Sequence, residues 1–85
     1  MMSVFEVFLA TGSDPSRLLT EETKRETSAQ VMTIDEARKV GFQGIPETPG
    51  HEVRLIAVAR RDAPWIHRAL EGNEVVASFR VHEVD

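Results

Sequence analysis

The sequence predicts a small α+β domain: a mixed sheet of three to four strands with two short helices, most simply a split βαβ arrangement in a ferredoxin-like variant. Three observations point there. The stretch Val4 to Ala10 is apolar except for Glu6, Thr33-Ile34-Asp35-Glu36 has the form of a helix start, and Val53 to Val84 reads as strand, helix, strand. With 85 residues the chain makes one domain, residues 1–85. A domain of that size buries only roughly 60–65% of its unfolded surface, so its core is modest.

Val4-Phe5-Glu6-Val7-Phe8-Leu9-Ala10 is rich in β-branched and aromatic residues on both alternating faces. Strands covered on both sides have this near-continuous apolar character, which places this one centrally in the sheet. Thr11-Gly12-Ser13-Asp14-Pro15 ends it with turn chemistry. Asp14 and Pro15 are suited to cap a helical turn through Leu18 and Leu19. Thr20 to Gln30 contains a single apolar residue, Ala29, so residues 12–30 are expected to be largely loop.

Thr33 and Glu36 fit a capping box, in which the hydroxyl accepts from the third helical amide and the carboxylate reaches back. Ile34, Ala37 and Val40 then share one face, and Gly41 stops the helix in a left-handed cap position. Phe42 is expected to fold back on the core. Gln43 to His51 holds two Gly and two Pro and reads as a loop. Glu52 to Arg60 is a strand, Asp62 is the expected N-cap of a helix over Ala63 to Glu71, and Glu74 to Glu83 is a second strand. The crossover is about the minimum length for a parallel pair, and its expected hand is right.

Composition narrows the function classes. The chain has no Cys, which removes disulfides, thiolate metal sites and cysteine nucleophiles. His51, His67 and His82 are too widely spaced for a local metal motif, so neither a metal nor another cofactor is expected. A net charge of −4 and a pI near 5.3 disfavour nucleic acid and anionic membrane as partners. Val4 to Ala10 is too short for a signal or a membrane span, making the cytoplasm the expected compartment. Small size without a disulfide points to self-association, and a homodimer is expected.

No catalytic constellation is evident, and the strands supply the candidate site. Val75, Ala77, Phe79 and Val81 alternate with Val76, Ser78, Arg80, His82 and Val84. Likewise Val53, Leu55, Ala57 and Ala59 oppose Arg54, Ile56, Val58 and Arg60. The first set of each strand is apolar and is expected to meet the helices. Arg54, Ile56, Val58, Arg80 and His82 are then expected on one half-wet face, with Glu6 nearby. That face can be a shallow site for a small anionic ligand, a dimer interface, or a surface covered by residues 18–30. Arg suits the first two equally. His82 is the residue placed to act as a general base, although it has no evident nucleophile beside it.

Arg60-Arg61-Asp62 precedes a helix N-terminus, where free amides favour anions. Trp65 beside it is a candidate partner anchor. The expected function is therefore a non-enzymatic binding or regulatory module acting through protein–protein contacts as a homodimer. The alternative is a small dimeric α+β-barrel-type enzyme, or an acidic small-ligand-binding domain, using the Arg/His face.

Overall fold

A computed structural model of the chain describes residues 1–41 and 52–84. Four strands form one sheet in the order β2-β3-β1-β4. They are β1 (Met2–Leu9), β2 (Gln30–Met32), β3 (Val53–Ala59) and β4 (Val76–Val84). Three α-helices accompany them: α1 (Glu21–Glu26), α2 (Ile34–Lys39) and α3 (Ala63–Glu71). Single 3₁₀ turns occupy Pro15–Arg17 and Arg60–Asp62.

β1 lies at the centre, antiparallel to β3 on one side and to β4 on the other. Consequently β3 and β4 run parallel to each other with β1 between them and α3 connecting them, the split βαβ expected from the sequence. Every neighbouring pair is antiparallel, so the sheet is not mixed: the two parallel strands never touch. The structure departs from a ferredoxin-like pattern between β2 and β3. That connection carries α2, which packs on the face opposite α3.

Cross-strand partners share a face, so the register assigns the faces directly. Phe5, Val7 and Leu9 of β1 join Ile56 and Val58 of β3 under Ile66 and Leu70 of α3, with Leu18 and Leu19 beside them. On the other face, Val4 and Leu55 meet Ala37 of α2. Because both faces are covered, seven of the eight β1 residues are buried. This is the physical origin of the near-continuous apolar run.

Residues 12–30 hold more order than expected. Asp14 Oδ1 accepts from the Ser16 amide at 3.0 Å and caps the 3₁₀ turn, in keeping with the Asp-Pro reading. α1 was not visible in apolar periodicity, because its only buried residue is Thr23. Its signal is capping: Thr20 Oγ1 accepts from the Thr23 amide at 3.1 Å, acids fill the first turn, and Lys24 and Arg25 the last. Residues 28–32 lead into β2, whose Val31 sits opposite Ile56.

α2 begins with the expected capping box, and Gly41 adopts φ +98°. Val40, however, is 67% exposed and not part of the buried face. Asp62 does not cap α3 with its side chain. Its Oδ2 accepts from the amide and hydroxyl of Ser28 at 3.3 and 3.2 Å, tying the segment before β2 to the start of α3. Phe42, Gln43 to Pro49, Gly50 and His51 lie outside the described residues.

The amide and hydroxyl of Thr33 hold the Glu36 carboxyl below the ordinary carboxylate range, the amide contributing most. A lowered folded value means the carboxylate's contribution is complete above the ordinary Glu range. It is lost as pH falls through the lowered value. Thr33 sits at φ −76°, which a proline ring accepts, and proline has neither the amide nor the hydroxyl. In Thr33→Pro the Glu36 carboxyl should titrate in the ordinary range, as followed by NMR. An unchanged, still lowered titration would show that the box is not its cause.

Candidate functional site

The register separates the residues that the sequence grouped. Glu6 stands opposite Arg80 and Leu55, and Val4 opposite His82 and Ala57. Arg54 pairs with Val7, and Val7 with Phe79, so Arg54 lies on the α3 face together with Ile56 and Val58. The expected common face therefore does not exist. Alternation within β4 holds from Ser78 onward, while Val76, expected beside Arg80 and His82, pairs with Leu9 across the register shift and packs on the α3 side. Which set of β3 shares a face with Arg80 depends on register, and register comes from pairing. Ile56 and Val58 are fully buried under α3, so they are core and cannot line a subunit contact. Arg54 is half-buried and spent locally, donating to its neighbours Val53 O at 3.0 Å and Glu52 Oε1 at 3.1 Å. Trp65 of α3 is 40% exposed.

Arg80 and His82 do belong together, and Glu6 joins them. The Glu6 side chain is fully buried in the middle of β1. His82 Nε2 lies 3.0 Å from Glu6 Oε1, and Arg80 Nε lies 3.3 Å from the same oxygen. As a carboxylate Glu6 only accepts, so Nε2 donates and Nδ1 is left as the acceptor of the neutral ring. Arg80 also stacks its guanidinium 5.3 Å from the Phe8 ring centroid, a cation–π contact that fixes its lie across the sheet. Glu6 Oε2 has no hydrogen-bond partner. Among the described residues no group of three potential metal ligands forms, and no helix is long and apolar enough to cross a membrane.

A second feature escaped the sequence reading. β4 is the outer strand, nine residues long, and the described residues place no strand beyond it. The opposite edge is β2, only three residues long. The backbone of β4 has a definite polarity. Leu9 N–H donates to Glu52 O on the β3 side, while Ala10 N–H donates to Val75 O on the β4 side. Successive residues of a strand present their backbone groups to opposite sides, so the even residues of β1 face β4. Their partners Ser78, Arg80, His82 and Val84 face back toward β1. The N–H and C=O of Phe79, Val81 and Glu83 therefore point outward, away from the sheet.

Beside this edge, a groove of about 660 Å³ runs between α3 and β4, floored by Phe5 and Val81 and walled by Ala63, Pro64 and His67. Val81 is 40% exposed there. Glu83 closes one end, held by Arg60 Nε at 2.8 Å and by the Ser3 hydroxyl. His67 Nδ1 meets Glu71 at 2.6 Å, and its ring stands edge-on to Phe79 with centroids 5.1 Å apart. The two Arg before α3 thus serve the groove end and the surface. Comparison with protein-family models, curated proteins and solved structures finds no match to this chain.

Burying a carboxylate is expensive, and an apolar side chain of similar volume in place of a buried ion cluster is often neutral or stabilising. Removing Arg80 and His82 instead leaves Glu6 buried and uncompensated. Glu6→Leu should therefore unfold in urea within about 1 kcal/mol of wild type or above it. The double variant Arg80→Ala, His82→Ala should lose about 3 kcal/mol, the low end for a broken buried pair because both partner side chains are partly exposed. Equal losses in the two proteins would mean that the carboxylate itself, and not its neutralisation, holds β1 to β4.

Proposed function

We propose that this chain is a non-enzymatic binding module acting through protein–protein contacts, and that it engages an extended segment of a protein partner by strand addition to the outer edge of β4. The observation that carries this reading is the outer edge of β4, which no strand among the described residues covers. Proteins ordinarily blunt such edges with short strands, proline, inward charges or bulges. β4 has one irregularity, opposite Phe8 and Leu9, and is regular from Ser78 to Val84. Three consecutive outward-facing residues, Phe79, Val81 and Glu83, offer donors and acceptors to an added strand. The groove lies on the same side for its side chains. Obligate burial on a sheet face is not needed, since the β1 and β3 residues of both faces are already covered within one chain.

A proline tests the reading selectively. Val81 directs its N–H outward, so Val81→Pro removes no internal ladder bond and is tolerated as an edge-strand proline. Arg80→Pro would break the ladder to β1. Val81→Pro should keep the far-UV spectrum of wild type and a Tm within a few degrees. It should lose association, with itself or with a protein partner, in sedimentation velocity. Association that survives in Val81→Pro locates the contact elsewhere.

A second reading, a small-acid-binding or enzymatic site at Arg80 and His82, has one observation of its own. A buried carboxylate orienting an imidazole through Nε2 leaves Nδ1 poised to accept a proton. Titration with succinate, followed by NMR at Arg80 and His82, tests it. Saturable shifts confined to these residues support it, and their absence removes it.

A further inference from the structure

The free edge of β4 has a chemical pattern that selects its occupant. We propose that β4 pairs with β4 of a second copy of this chain, antiparallel about a two-fold axis at Val81, joining two four-stranded sheets into one of eight strands. This rests on strand addition at β4 being the mode of contact, and it names the partner and the register.

Residues directly opposite each other share a face, so a two-fold antiparallel pairing must centre on one residue of the strand. Three centres use the middle of β4: Phe79, Arg80 and Val81. A centre at Arg80 sets the two Arg80 side chains directly opposite, with Cβ atoms about 4.5–5.5 Å apart, and like charges so placed are destabilising. A centre at Phe79 draws in Val75 to Ala77. There the ladder to β1 shifts register, Val75 O is taken by Ala10, and Val76 N–H is turned to Asn73 O. A centre at Val81 uses Ser78 to Val84, which is regular throughout.

That register also matches the side chains. Val81, 40% exposed, meets its own copy and leaves water in both chains. Phe79 faces the other copy's Glu83. The Phe79 ring packs on His67, so the other copy's Glu83, its carboxylate already engaged by Arg60 and Ser3 of that copy, is brought toward the α3 surface that carries His67 and Arg68. Arg68 gives its Nε–H to Pro64 O at 3.4 Å and has no carboxylate partner among the described residues. Symmetry supplies this contact twice. On the opposite face Arg80 stands across from the other copy's His82. Each of them is held by the buried Glu6 of its own chain, so each guanidinium at the seam is compensated from the β1 side of its own sheet. The outward N–H and C=O groups of Phe79, Val81 and Glu83 fall in hydrogen-bonded positions, Val81 with itself and Phe79 with Glu83.

The chain has no cysteine, so single-cysteine variants report the register without interference. In a hydrogen-bonded antiparallel pair the Cα atoms are about 5.5 Å apart, within disulfide reach. Diagonal neighbours are about 7–8 Å apart and beyond it. Under mild oxidation Val81→Cys should form a covalent dimer on the order of tenfold faster than Arg80→Cys or the exposed α1 control Glu22→Cys. Wild-type protein should sediment as a dimer, and Val81→Lys as a folded monomer. Faster crosslinking of Arg80→Cys overturns the register while leaving strand addition standing. A dimer that persists in both Val81→Lys and Val81→Pro overturns both. A wild-type monomer at millimolar concentration, with no preference among the cysteines, overturns the second copy as partner and leaves strand addition to be judged with another protein.

Discussion

β1 is hydrogen-bonded along both edges and covered on both faces, and the rest of the molecule is arranged to make that possible. A strand in this position must satisfy its backbone through two neighbours and bury nearly every side chain. β3 and β4 supply the first requirement. α3 with Leu18 and Leu19 on one face, and α2 on the other, supply the second. Splitting β3 and β4 around β1 lets one crossover helix lie across all three strands. The consequence is a sheet whose inner strands have no surface left to offer and whose outer strand β4 has most of it.

The Glu6 carboxylate is the one charged group inside that strand, and it organises β4 from within. A carboxylate at full burial needs charge or hydrogen-bond donors close by, and they come from alternate positions of the neighbouring strand, the Arg80 guanidinium and the His82 Nε2–H. Both are thereby drawn inward across the face. Their polar ends compensate Glu6, and their backbone groups face β1. The outward-facing backbone belongs to the intervening residues Phe79, Val81 and Glu83, whose side chains lie on the groove side. The strand thus divides its backbone by parity: from Ser78 onward even residues turn their N–H and C=O groups to β1, and odd residues turn theirs away from it.

Capping explains the parts of the chain with little hydrophobic content. α1 buries only Thr23, and α2 only Ala37, so neither is held mainly by an apolar stripe. Each begins at a threonine whose hydroxyl satisfies an otherwise unpaired amide, and each places acids first and bases last, matching the helix dipole. Asp62 shows the same economy at longer range. It leaves its own helix uncapped by its side chain and instead fastens Ser28, fixing the approach to β2.

The sequence by itself determined the features that depend on neighbours along the chain. These include the central place of Val4 to Leu9, the capping box at Thr33 and Glu36, the left-handed Gly41, the strand–helix–strand unit from Val53, and the alternation of β4 from Ser78 onward. Each rests on propensity, periodicity or local hydrogen bonding. Tertiary structure alone decided what depends on pairing. A shift of one residue in register exchanges the faces of a whole strand. That single choice buries Ile56 and Val58, separates Arg54 from Arg80, and brings Glu6 to Arg80 and His82. The free edge of β4 was hidden for the same reason. An edge is a property of strand order, set by which strand packs beside which, and no residue pattern within β4 records which of its sides will be left without a neighbour.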